Sequence, residues 1–398
     1  MRRWAASGAM ALTGDADGPP LAPPTTAALV LDARLAPFGL DGRVLGERAA
    51  LLGRGRQGST SCGGSARLLR GRDGWLALSL PRPSDVDLLP ALLGVADTED
   101  PWPDDPWPAV ARAVADRDVA EVEADAVTLG LAVAAVGGST AQVAVRGRAR
   151  AGDRGGPAGA PRVVDLSALW AGPLCADLLR RGGAEVVKVE SVGRPDGARS
   201  GVAAFYDLVN EQKASVAVDL ATAAGRAVLR GLVDAADIVV TSARARAIHH
   251  LGLDPSRFLA GGTDRVWVAI TGHGWDVDRV GFGDDAAAAA GLVAWGDDGC
   301  PRFAGDAVAD PVGGVVAAAA ATRAWGRGGR WFVDAPLAGA ARLVTPSVPV
   351  PATAAVLDDD GRGNVAGEPV RAPHARRAGT SAAALGADTA RALAAWTS

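Results

Sequence analysis

Lysine is nearly missing from this 398-residue sequence: of its 41 basic residues only Lys188 and Lys213 are lysines, and the rest are arginines. Tyrosine occurs once, at Tyr206, and histidine four times. The three cysteines, Cys62, Cys175 and Cys300, lie far apart with no C-x-x-C pair, which argues against a disulfide framework and a zinc knuckle. Long apolar runs are missing as well. The best candidate, Ala286 to Trp295, falls well short of the ~20 residues that a membrane span needs. Nor is there a marked excess of one charge. With 45 acidic residues against 41 basic ones the formal net charge is −4, which speaks against a general nucleic-acid binder and against a polybasic membrane-docking protein. The opening MRRWAASGAMALTG has paired arginines, but its apolar run is broken by Ser7, Gly8 and Thr13 and no clean small-residue cleavage site precedes Asp15. It does not read as a signal sequence, and the chain reads as cytoplasmic.

What is present suffices for a folded protein of two or three domains, since 48% of the residues are apolar and 22% charged. Abundant Ala, Gly, Arg and Pro fit a coding bias that exchanges lysine for arginine wherever the physics allows. The two retained lysines therefore mark positions to question first.

The segment Arg146–Arg162, RGRARAGDRGGPAGAPR, has no apolar period and reads as a linker. Before it, residues 1–145 form a smaller block. Asp73–Pro83 gives a strand signal, Ser84–Gly94 a helix capped by Ser84, and Asp118–Gly137 a helix followed by a strand. The turn-rich Asp97–Pro108 reads as a surface loop. After the linker, strand signals in VVDLS, AEVVKVE, SVAVDL, DIVVTS and DRVWVAITGHG alternate with helical stretches of 10 to 15 residues. That alternation predicts an α/β fold with a doubly wound, Rossmann-like parallel sheet over 163–344, beside the smaller α+β domain. A Pro/Gly-rich segment from Thr345 leads to a last helical signal at Thr380–Trp396.

Ligands of such sheets bind beyond the carboxyl ends of the strands. The first such loop, Ser167 to Leu179, has only Gly172 and lacks G-x-G-x-x-G, so a dinucleotide site is poorly supported despite Glu190 at the end of the second strand. Lys213 stands at a strand mouth, where it is either a phosphate or carboxylate partner or an ordinary solvated lysine. Lys188 points to one side of a strand. Asp284 and Asp285 precede an alanine run, and Asp310 opens another in ADPVGGVVAAAAATRAW. A carboxylate there is either a helix cap or first-turn residue, or a nucleophile whose small neighbours leave room for a bulky acyl group. His249, His250, His273 and His374 form no Ser-His-Asp or metal spacing.

Six blocks in register, VVDLSALWAGPLCADLLRRGGAEVVKVE, LVNEQKASVAVDL, ADIVVTSARARAIHHLGLDP, VAITGHG, VGFGDDAAAAAGL and ADPVGGVVAAAAATRAWGRGGRWFVDAPL, resemble the family III CoA-transferases, a group that includes the α-methylacyl-CoA racemases. The resemblance implies a CoA-transferase that takes acyl-CoA and a carboxylic acid acceptor, with no metal, and works as a homodimer. It places the catalytic aspartate at Asp310, whose carboxylate would form a mixed anhydride and then an aspartyl-CoA thioester. It places CoA-holding positions at Ala171, Gly172, Lys188, Lys213 and Arg244. Many members write E-N-F-R-P-G where this chain has TSARARA, so only Arg244 is kept. Racemase members write G-H-D where this chain has Asp284-Asp285, which favours transfer over racemisation. Ser59–Gly94 resembles the family's Gly-rich loop, with Gly63 and Gly64 shielding the intermediates from water, yet here it comes first. The chain thus resembles the back half of one copy joined to the front half of another.

Overall fold

Strands rich in Val, Ile and Ala, separated by helices with one apolar face, build the larger part of the protein as the sequence predicts. The computed structural model describes residues 1–95, 104–150, 157, 159–348 and 350–396. Helix α1 (Val44–Leu52) precedes a three-stranded antiparallel sheet of β1 (Ala66–Arg70), β2 (Trp75–Ser79) and β3 (Ala132–Ala135). A seven-stranded sheet follows, made of β4 (Ala144–Arg148), β5 (Arg162–Leu166), β6 (Glu185–Ser191), β7 (Ala214–Val218), β8 (Ile238–Thr241), β9 (Arg265–Ala269) and β10 (Arg330–Asp334). Its spatial order is β4-β10-β9-β8-β5-β6-β7. All neighbours run parallel except β4, which is antiparallel to β10. The helices that matter below are α2 (Ala171–Arg181), α3 (Ala223–Asp234), α4 (Gly283–Ala289), α5 (Ala309–Gly326), α6 (Leu337–Arg342) and α7 (Thr389–Trp396).

Successive strand residues point to opposite faces, and both faces are covered. Val163, Ile238, Val240 and Val268 pack with Leu174 of α2, Val312 of α5 and Leu337 of α6. Val164, Val239 and Trp267 pack on the other face with Leu229 and Leu232 of α3 and Trp396 of α7. Trp4, Met10, Leu31 and Val44 belong to the first of these clusters, so residues on both sides of the segment read as a linker share one core. Helix α7 follows a segment that covers the outer strand β7: Ser215 N–H donates to the Asp388 carboxylate at 2.9 Å and Ala217 N–H to Thr389 Oγ1 at 3.1 Å. An edge that would otherwise expose unpaired backbone groups is thereby closed.

Two local expectations change. The segment Arg146–Arg162 opens inside β4, where Arg146 and Arg148 pair with Phe332 and Arg330. The strand lies at the sheet edge and carries arginines, so it shows no apolar alternation in sequence; residues 151–156 and 158 of the segment lie outside the described residues. The single helix expected over Ser84–Gly94 is two short ones, Pro83–Val86 and Leu89–Leu93. Arg82, not Ser84, is the cap residue, and its N–H donates to Asp85 at 2.9 Å. Pro90 fits the first turn of the second helix, where a missing N–H costs nothing. Of the loop expected at Asp97–Pro108, residues 97–103 lie outside the described residues, and Trp107 already begins a helix.

Candidate active site

The strand order reverses between β5 and β8, and the crevice beyond their carboxyl ends is where a doubly wound sheet receives ligand. The two loops leaving these strands are tied there, Ala168 N–H donating to Ser242 Oγ at 3.0 Å. Between them and α2 the backbone is strained: Leu169 has φ 69°, and its N–H is held by Asp196 at 2.9 Å.

Asp310 lies beside this crevice. It occupies the first turn of α5, two residues after the cap residue Val308. The backbone N–H of Ala171, at the first turn of α2, lies near enough to pull the Asp310 pKa down against burial. Two glycines of α5 let it approach α2 and α6 closely. A Cβ at Gly314 would lie 2.5 Å from Ala171 O, and one at Gly313 would lie 2.6 Å from Leu337 Cδ2. On the other side, Gly283 at the start of α4 leaves room for the carboxylate itself, because a Cβ there would collide with Asp310 Oδ2.

Two further carboxylates share the site. Asp284 accepts Ala307 N–H at 3.0 Å, and Ala307 is a second strained residue with φ 45°. Asp306, fully buried, accepts two hydrogen bonds from Arg48 of α1 at 2.8 and 2.6 Å and a longer one from Arg54 at 3.4 Å. Arg48 lies over the ring of Trp170, 4.9 Å from its centroid. Burial pushes Asp310 up to about 7; the nearby Arg48 opposes this, while the charges of Asp284 and Asp306 add to it. Burial likewise raises Asp284 to about 6, with Asp306 adding and Arg48 opposing. A half-buried carboxylate that titrates near neutrality, with a backbone donor and room beside it, can act as a nucleophile.

Other positions expected at the site have different surroundings. Lys188 and Lys213 are 1% and 3% exposed, and their ammonium groups bind inside the protein. Lys213 Nζ donates to Asp165 at 2.9 Å, Pro173 O at 2.9 Å and Asn210 Oδ1 at 3.0 Å, which uses all three of its protons. Lys188 Nζ donates to Ser167 O at 2.8 Å and pairs with Asp196 at 3.0 Å. Both lysines thus hold the 165–173 loop through internal hydrogen bonds. Gly172 packs on Ser167, where a Cβ would collide with that side chain. Gly63 packs against the Arg54 guanidinium, whereas Gly64, at φ +79°, has open space around it. Arg244 begins the helix after β8 and is paired with Asp278 at 3.1 Å. A cavity of about 320 Å³ lies at the far end of α4, lined by Val136, Leu292, Trp295 and Arg342 among others and by none of the three carboxylates.

Sequence reasoning missed Arg48, Arg54 and Asp306. Scarcity singles out a lysine in this chain, whereas an arginine among 41 basic residues carries no such signal. Asp306 lies in the turn that leads into α5, where no helical spacing links it to Asp310 and sequence offers no clue.

Residues 160–353 match the model of CoA-transferase family III. An acyl-CoA transferase of Fusarium pseudograminearum is 31% identical over 150 residues, covering 33% of this chain and 33% of that protein. A succinyl-CoA–D-citramalate CoA-transferase of Chloroflexus aurantiacus is 32% identical over 143 residues, 33% of this chain and 36% of its own. A succinate–glutarate CoA-transferase of Agrobacterium fabrum is 30% identical over 177 residues, 40% and 44%. The chain thus spans a third to less than half of the length of these curated relatives. A CaiB/BaiF family protein from Brucella suis, 26% identical, superposes with a TM-score of 0.42 over 48% of this chain and 55% of that one.

Proposed function

We propose that this chain is an acyl-CoA:carboxylate CoA-transferase with Asp310 as its nucleophile. The observation that carries the reading is the placement of Asp310 within the segment that matches CoA-transferase family III. Its carboxylate stands in the first turn of α5, and the Ala171 N–H of α2 favours its charged form. An Asp310 oxygen attacks the thioester carbonyl, the C–S bond breaks, and CoA leaves as its thiolate while a mixed anhydride forms. The thiolate then attacks the aspartyl carbonyl and expels the first carboxylate, leaving an aspartyl-CoA thioester. The acceptor carboxylate attacks that thioester and releases the thiolate, which closes the cycle by attacking the acceptor's carbonyl in the new anhydride and freeing Asp310. Thioester energy is kept throughout. Ala171 N–H and the N-terminus of α2 lie where negative charge gathers on the aspartyl group. Gly63 and Gly64, with the rest of the first block as a lid, would keep water from the anhydride. The reading extends to a cytoplasmic homodimer.

The test mixes the protein with several acyl-CoAs and carboxylic acids, follows exchange, and searches for an acyl or CoA adduct on Asp310 by mass spectrometry. Asp310→Asn should abolish both exchange and adduct. Normal turnover in that variant sinks the proposal.

A further inference from the structure

The turn that leads into α5 is buried from residue 303 to residue 309, and it bends twice through the left-handed region, at Gly305 with φ 68° and at Ala307 with φ 45°. A buried turn must find partners for its backbone N–H groups. Both left-handed residues find theirs in side chains from other parts of the chain. Gly305 N–H donates to Thr13 Oγ1 at 3.0 Å, and Ala307 N–H donates to Asp284 Oδ1 at 3.0 Å. Thr13 is itself fully buried, and its hydroxyl proton goes to Ala9 O at 2.8 Å, which leaves its lone pairs for Gly305. Cys62 Sγ holds the other side of Gly305 by donating to its carbonyl at 3.3 Å. Residues of the first block and of α4 thus grip the turn together.

Where the turn ends, the helix of Asp310 begins. Asp310 N–H donates to Ala307 O at 2.9 Å, so Ala307 is held by Asp284 at its N–H and takes Asp310 at its carbonyl. The Asp310 carboxylate comes to the same place. A Cβ on Gly283, the residue before Asp284, would collide with Asp310 Oδ2 and stand 2.6 Å from both O and Cβ of Ala307. An alanine at this φ is strained and keeps the conformation only where its surroundings impose it. We infer that Thr13 and Asp284 are positioning residues for the Asp310 carboxylate: each holds the N–H of one left-handed residue of the turn, and the turn fixes where α5 begins. The inference rests on the reading of Asp310 as nucleophile.

Neither side chain has to touch substrate for this, because each acts through the backbone. A carboxylate displaced by about an ångström loses on the order of a hundredfold in rate, so a loosened turn lowers kcat. At Asp284 the acceptor and the charge are separable by substitution. Asparagine keeps an acceptor oxygen and removes the charge, whereas alanine removes both. At Thr13 serine keeps the acceptor, and valine removes it at nearly constant shape.

The experiment compares Asp284→Ala with Asp284→Asn, and Thr13→Val with Thr13→Ser, in the full chain. Amide hydrogen exchange is read by mass spectrometry on peptides covering residues 303–312, without substrate, and kcat and KM come from the exchange assay described above. Asp284→Ala and Thr13→Val are each expected to speed amide exchange in those peptides by about fivefold, the weight of one lost hydrogen bond, with β5 to β9 unchanged. In Asp284→Ala kcat should fall by about a hundredfold with KM little changed, and Thr13→Val should show a smaller fall of the same kind. Asp284→Asn and Thr13→Ser should recover most of both effects. Equal losses in Asp284→Ala and Asp284→Asn would assign the effect to charge and overturn the inference, and so would parent-like amide exchange at residues 303–312 in Asp284→Ala. If Asp284→Ala does not fold, the Thr13 pair decides: parent-like amide exchange and kcat in Thr13→Val overturn the inference. Full turnover in Asp310→Asn would instead overturn the transferase reading, an outcome distinct from every amide-exchange result.

Discussion

Ser79 Oγ donates a 2.9 Å hydrogen bond to Asp285 Oδ1, and neither residue is open to solvent. The bond joins β2 of the small sheet to α4, whose first residue faces Asp310. Burial pushes the Asp285 carboxyl up to about 7, against the pull of Phe282 N–H and of Ser79. In the unfolded chain the same carboxyl ionises near 4, so between these values the folded state binds more protons and stability falls as pH rises.

Ser79→Ala should therefore be mild in acid and worse in base. A neutral hydrogen bond contributes about 1 kcal/mol, and one to a charged carboxylate about 2 kcal/mol. Urea unfolding at pH 5 and at pH 8 measures the difference. A loss that is equal at both pH values would contradict the assignment of the proton to Asp285.

Gly283→Ala tests the space reserved for the nucleophile. The added Cβ collides with Asp310 Oδ2 and would stand 2.6 Å from Ala307 Cβ. Overpacking of this kind costs about 1–3 kcal/mol, and a carboxylate displaced by about an ångström loses on the order of a hundredfold in rate. Kinetics on protein shown to be folded by circular dichroism separate the two effects. Unchanged kcat/KM would show that the carboxylate does not need this space.

The lysines offer a third test. Lys213→Met strips Asp165, which is fully buried, of its closest cation and leaves Pro173 O and Asn210 without their donor. Breaking one side of a buried pair costs about 3–5 kcal/mol. The expected result is a large drop in the denaturation midpoint, with substrate KM little changed in whatever protein stays folded. A selective rise in KM for CoA at undiminished stability would return Lys213 to the ligand.

These residues also show how much could be read from the sequence. The alternation of strands and helices was legible because β5 to β9 are buried on both faces and write themselves as apolar runs. β4 was not, being an edge strand with arginines at positions 146 and 148. Lysine scarcity pointed to two constrained positions, but scarcity cannot distinguish a ligand contact from a structural one. Each ammonium sits between a carboxylate and a backbone carbonyl, partners that a compact three-proton group satisfies at once. Asp310 reads equally as a first-turn residue or a nucleophile in sequence, because both uses put a carboxylate at the start of an alanine-rich helix. Arg48 came from more than 250 residues upstream of its partner Asp306, a relation that no local pattern carries.

Asp310→Asn makes the last prediction, and it concerns stability as well as turnover. The folded state holds this carboxyl up to about 7, so above that pH the native protein carries a buried charge that the unfolded chain would place in water without cost. Asparagine has nearly the same shape and lacks that charge. The variant should lose exchange activity yet unfold at a higher temperature than the parent at pH 8, and the gap should shrink as pH falls toward 5, where the parent carboxyl is itself protonated. Functional sites commonly hold such unfavourable charges, and removing them trades activity for stability. Differential scanning calorimetry across that range measures the gap. A variant less stable than the parent at pH 8 would mean that Ala171 N–H and Arg48 stabilise the charged carboxylate more than burial disfavours it.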